Sequence, residues 1–137
     1  MADLYGHYKG VEPGNITSAT ASLRTKVEQI RTKLGSLKTS LSDDIWKATA
    51  KSTLITAFDQ IDSEVCEDIL TKLDNADEIA GLVEKYNTAK SEAESYSSKL
   101  NSSTNQTPQT DKDSWSAGLQ SQEKIMSECI SSISGLF

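Results

Sequence analysis

Apolar residues recur along the first third of the chain at Ile16, Leu23, Val27, Ile30, Leu34, Leu37 and Leu41, in alternating steps of four and three once Thr20 is counted in. That spacing is an a/d heptad seam and predicts a long amphipathic helix over residues 15 to 41. Gly35 interrupts it at a cost of up to about 1 kcal/mol relative to alanine, a cost that close helix approach there would explain. Ser42, Asp43 and Asp44 then break the pattern. Their side-chain oxygens accept hydrogen bonds from the free N–H groups of a starting helix, and a second pattern begins at Ile45 or Trp46. Residues 42 to 46 therefore read as the turn of a helical hairpin. Leu54, Phe58, Ile61 and Val65 continue the second stripe as its expected buried face. Val65, Ile69 and Leu73 then step by four and four, a stutter that unwinds a supercoil locally without ending the helix.

Beyond the stutter, Ala76, Ile79 or Ala80, Val83, Tyr86, Ala89 or Lys90, Ala93, Tyr96 and Leu100 carry the stripe on. Asn75 with Glu78 forms a capping-box pattern that would split the run and close the molecule into a four-helix bundle. The unbroken periodicity favours a continuous or gently kinked helix instead. Residues 1 to 14, with Tyr5, Gly6, His7, Tyr8, Gly10 and Pro13, read as a loosely held arm. Residues 101 to 113 are polar, lack periodicity and contain Pro108, the pattern of a flexible linker. A last amphipathic helix is predicted over 114 to 137, with Trp115, Leu119, Gln122, Met126, Cys129 or Ile130, Ile133 and Leu136 on one stripe. The predicted fold is all-α: an antiparallel helical hairpin over 15 to 100 with an additional C-terminal helix, in an elongated bundle.

Trp46-Lys47-Ala48-Thr49-Ala50, followed by Leu54 and Ala57-Phe58, resembles the Trp-x-Gly-x-Ala turn of the WXG100 (ESAT-6-like) family of small helical-hairpin proteins handled by type VII secretion. The likeness spans roughly residues 15 to 100 and places the tryptophan near the middle, with Ala48 where the family has glycine. Trp46, Ala48 and Ala50 are the hairpin-turn motif that the resemblance implies. Family members carry an export motif, Tyr-x-x-x-Asp/Glu, beyond the second helix. Tyr86 and Tyr96 lack the acid, having Lys90 and Leu100 four residues on, whereas Phe58 and Asp62 match a Phe-x-x-x-Asp variant. Phe58 also lies on the apolar stripe, so packing is the stronger reading of that match.

Charge narrows the choice of partner. Basic residues dominate the first helix (Arg24, Lys26, Arg31, Lys33, Lys38), and acidic ones crowd the second around the stutter (Asp59, Asp62, Glu64, Glu67, Asp68, Asp74, Asp77, Glu78). Pairing between the helices is the expected outcome; exposed pairs steer orientation more than they stabilise. A net charge of -6 excludes nucleic acid as the main partner. No stretch approaches the roughly 20 apolar residues of a membrane span, and no basic-then-apolar leader is visible. The expectation is a cytoplasmic protein, with any export by a route that reads no cleavable signal. His7 is the single histidine and no glycine-rich phosphate loop is present, so a binding protein is expected rather than an enzyme, without cofactor or metal. Cys66 and Cys129 lack zinc-ligand spacing and read as buried free thiols.

The resemblance implies an accessory, chaperone or co-secreted targeting protein that binds a helical partner, either another WXG100-like chain or the helical N-terminal domain of a toxin. The class-level alternative is a cytoplasmic helical adaptor unrelated to secretion. Uncovered apolar surface also predicts a homodimer or a helical partner. The candidate interface is Leu23, Val27, Ile30, Leu34 and Leu37 on the first helix, with Trp115, Leu119, Met126, Ile130 and Ile133 on the last. Trp46→Ala is expected to destabilise the protein by about 3 to 5 kcal/mol, the usual cost of truncating a buried aromatic. Thermal melting checks this: an unchanged midpoint would make Trp46 an exposed contact residue.

Overall fold

The computed structural model describes residues 4–42 and 48–137, the side chains of 42, 48 and 49 excepted. No strand occurs among these residues, 85% of which are helical, so the all-α class holds. Helix α1 runs Pro13–Ser42, α2 Ala48–Gln60, α3 Glu67–Asn101 and α4 Gln109–Ser134, with a π-helical turn, Ile61–Cys66, joining α2 directly to α3. Three helical runs result, and the four-helix alternative fails because α3 passes through Asn75 and Glu78 unbroken. Among the described residues, no helix is long and apolar enough to cross a membrane.

The π turn is where the sequence stutters. Glu67 N–H reaches the carbonyl of Asp62, five residues back, which absorbs one extra residue without ending the helix. That insertion rotates the stripe: Cys66 and Leu73 are buried, while Ile61, Val65 and Ile69, expected inside, are 39%, 51% and 37% exposed.

Two units divide the chain, with the boundary inside α3. In the unit Gly14–Asp77, burial on α1 falls on Thr20, Val27, Leu34 and Leu41, one residue per heptad. Three cross-helix pairings set the direction. Arg24 meets Asp74 and Asp77 at 2.7 and 2.8 Å, Arg31 meets Asp62 and Glu67 at 2.6 Å each, and Lys38 meets Asp59 at 2.6 Å. Partner numbers fall as α1 numbers rise, so the two helices run antiparallel.

The other unit joins residues 1–13 to 78–137. Its core is Tyr86, Ala89 and Ala93 of α3 with Met126 and Cys129 of α4. Alanines let the helices approach, and a Cβ added at Gly118 would lie 2.5 Å from the Tyr96 ring. The N-terminal segment is more firmly seated than its composition suggests. Leu4, Tyr5 and Tyr8 pack on this core, Tyr8 meets the Tyr86 ring edge-on with centroids 4.9 Å apart, and Tyr86 donates a hydrogen bond to the Leu4 carbonyl. Tyr5 donates to Glu123 at 3.0 Å; burial and that carboxylate push its phenol up to about 12. Glycine at position 10, with φ of 82°, turns the chain towards α1.

Helix α1 begins at Pro13, where a missing N–H costs nothing. Helix α4 begins at Gln109, five residues before the predicted start, because extended Pro108 directs its carbonyl to the amides of Asp111 and Lys112. The connector shrinks to residues 102–108, where the amides of Thr104 and Gln106 bond the hydroxyls of Thr107 and Thr104. Both cysteines are buried free thiols, and burial pushes the Cys129 thiol up.

Gly35 does not mark a close approach: a Cβ there would meet nothing within 4 Å. Gly35→Ala is therefore expected to raise stability by about 0.5 to 1 kcal/mol through helix propensity alone. Urea unfolding measures it, and a loss of stability would reveal a contact at that position.

Candidate helix-docking face

The heptad seam of α1 splits into two columns with different fates. Val27 and Leu34 are 4% and 9% exposed, whereas Leu23, Ile30 and Leu37 are 47%, 47% and 49% exposed. At about 100° per residue, Leu23, Ile30 and Leu37 follow the buried column by three residues and sit about 60° to one side of it. Arg24, Arg31 and Lys38 follow by four and sit about 40° to the other side.

The same geometry governs the opposing helix. Asp77 follows buried Leu73 by four residues, and Ile69 follows buried Cys66 by three. Facing antiparallel helices are related by a local two-fold axis, so equal angular offsets reach the same side of the pair. The Arg24–Asp77 pair shows that the plus-four positions share one face. The plus-three positions therefore share the other. On it lie Leu23, Ile30 and Leu37 of α1, with Ile69 and, a turn or two earlier, Val65 and Ile61. This unit has a charged face and an apolar face.

Outside the apolar columns lie exposed charges. Lys26 and Lys33 border it on α1; Glu64, Asp68 and Lys72 border it on the opposing run, where Lys72 and Asp68 pair at 2.6 Å. One rim is basic and the other net acidic.

Of the residues singled out from the sequence, Leu23, Ile30 and Leu37 fall on this face, while Val27 and Leu34 belong to the buried column. Met126 and Ile133 are buried, and Trp115, Leu119 and Ile130 are half-buried, with Leu119 and Ile130 packed on the α3–α4 core. Helix α4 thus turns this stripe towards its own unit. Ile61, Val65 and Ile69 belong to the stripe whose periodicity predicts burial, and the stutter beginning at Val65 is the one sign in the sequence that they turn outward. Trp46 lies outside the described residues. Ala48 opens α2, and Ala50 is exposed. Phe58 is half-buried, and Asp62 accepts a hydrogen bond from Arg31 Nε at 2.6 Å, so both halves of the Phe-x-x-x-Asp match have structural partners or cover.

The chain matches no protein-family model, and no curated protein and no solved structure is significantly similar to it.

On the charged face, the Thr20 hydroxyl and the Arg24 guanidinium hold the Asp77 carboxyl below the usual carboxylate range. A depressed folded-state value stabilises the fold above the unfolded pKa near 4, and the benefit is lost as pH falls through the folded value. Asp77→Asn is expected to lessen the acid-side fall in melting temperature below about pH 4 and to lower the melting temperature at neutral pH. Melting curves of both proteins across pH check this; parallel curves would mean that Asp77 contributes nothing.

Proposed function

We propose that the chain is a WXG100-like accessory protein of a bacterial type VII secretion system, acting by helix–helix binding as a chaperone or co-secreted targeting partner. In this reading α1 and the run Ala48–Asn101 stand for the two helices of the family's hairpin, and α4 is an additional helix. The observation that carries the proposal is the apolar face of Leu23, Ile30, Leu37, Ile61, Val65 and Ile69, left 37% to 51% exposed, while the opposite face carries the ion pairs of Arg24, Arg31 and Lys38. Large apolar side chains clustered on one side of a helical layer are the mark of a surface that receives another protein. Spacings of three, four and seven residues suit the ridges of an incoming amphipathic helix. Covering this face on the helical N-terminal domain of a toxin would keep that domain soluble and build a joint export surface.

The test starts from the gene's neighbours, where a membrane ATPase and a large toxin with a helical N-terminal domain are expected. Co-expressing that toxin domain with this chain should give a complex that co-purifies, and Ile30→Asp should reduce its recovery by about tenfold, as loss of a central apolar anchor does. Deleting the gene should abolish toxin export. Unaltered export, with the toxin domain soluble on its own, would overturn the proposal.

A further inference from the structure

We propose that the groove between α3 and α4 is a recognition site for a peptide segment of the pattern Leu-Tyr-x-x-Tyr. In the resting chain its own residues 4–8 occupy that groove as a strap, which lifts independently of the rest of the fold. The site lies within the unit of residues 1–13 and 78–137, and its role is separate from the docking reading of α1 and from export.

The seated strap shows what the groove selects. Tyr5 and Tyr8 stand three residues apart in a run of turns, closed by the Lys9 amide on the Gly6 carbonyl at 3.2 Å and the Val11 amide on the Tyr8 carbonyl at 3.1 Å. Each ring reads a different wall. Tyr5 donates to Glu123 of α4 at 3.0 Å, while Tyr8 meets Tyr86 of α3 edge-on with centroids 4.9 Å apart. Tyr86 donates to the Leu4 carbonyl, a main-chain contact that any sequence supplies, so selection rests on the side chains of Leu4, Tyr5 and Tyr8. Tyrosine suits that task, because it offers a large contact area on two rotatable bonds with a hydroxyl for the polar rim. On the α3 side Ala89 and Ala93 raise no ridge, which lets a chain lie close. His7, between the two tyrosines, is exposed, so the intervening positions are unconstrained.

The hold of the strap is slight beside the depth of what it covers. Leu4, Tyr5 and Tyr8 are half-buried, whereas Met126 and Cys129 in the core they pack on are 0% and 2% exposed. Fixing each backbone residue costs conformational entropy, and three partly buried side chains offset little more than the ordering of the segment that carries them. Segments so balanced open locally while the core stays folded. Gly10, with φ of 82°, supplies the pivot. Glu123 and Glu94 both act on the Tyr5 phenol, so a negative charge placed at position 5 would drive the strap off.

Alkylation of the native full-length chain with iodoacetamide, each thiol being followed by peptide mass mapping, tests this. Cys66 is also 2% exposed but belongs to the other unit, so it reports global unfolding while Cys129 reports the strap. Cys129 of the wild type should react slowly. Tyr5→Glu, and separately Tyr8→Ala, should raise its rate by about tenfold or more, with the Cys66 rate and the helical circular dichroism unchanged. A synthetic peptide of residues 2–10 at millimolar concentration should return Cys129 of the Tyr5→Glu variant to near its wild-type rate. The same peptide with serine in place of both tyrosines should leave it fast. Equal acceleration of both thiols would overturn the strap, because residues 4–8 would then be an inseparable part of the fold. An unchanged Cys129 rate in both variants would overturn it as well. Acceleration at Cys129 alone, with no protection by the peptide, would overturn the groove as a recognition site.

Discussion

A single π turn at Ile61–Cys66 decides which side of the long helical run faces α1. Without the extra residue, the heptad phase of Leu54, Phe58, Ile61 and Val65 would continue inward. With it, Cys66 and Leu73 become the buried column, and Ile61, Val65 and Ile69 turn outward. Acidic residues are carried round by the same rotation. Asp62 and Glu67 come within 2.6 Å of Arg31 on one face, and the displaced isoleucines and valine gather on the opposite face. Charge pairing and apolar exposure are thus two consequences of one local change in helix geometry.

Orientation within the Gly14–Asp77 unit comes from a series of charge pairs whose members remain partly open to water. Such pairs contribute little to stability individually. Their effect is on orientation: the basic residues of α1 turn one side of that helix towards the acidic residues of α2, the π turn and α3. Thr20 is the buried polar member of α1, and its hydroxyl donates to Asp77, so that burial leaves no orphaned donor. The unit formed by residues 1–13 and 78–137 is built differently, around Tyr86 and Met126 with alanines at the close approaches. There the N-terminal tyrosines supply the bulk that the alanines of α3 do not.

Division of labour between these units bears on function. Helix α4 buries Met126, Cys129 and Ile133 within its own unit, whereas α1 buries only one of its two apolar columns. The exposed column therefore lies where a second helix or a second chain would complete the packing. Binding of this kind uses the same ridges and grooves that hold the fold together, which is why a docking face can be built without catalytic groups.

Periodicity in the chain determined the helices themselves: the seam from Ile16 to Leu41, the continuity of α3 through Asn75, and the amphipathic stripe of α4 are all legible as apolar spacing, since each depends on residues within a turn or two. Opposite charge on the first two helices made their pairing legible too. Only tertiary structure decided which half of each stripe is covered. Leu23 and Val27 look equivalent in a heptad, yet one is 47% and the other 4% exposed, because the direction from which a neighbour approaches is set by contacts up to 57 residues apart, as between Thr20 and Asp77. The seating of Tyr5 and Tyr8 was hidden for the same reason. Glycines and prolines in the first 14 residues report local backbone freedom, while the order of that segment comes from aromatic burial against Tyr86, Met126 and their neighbours, more than 70 residues away in sequence.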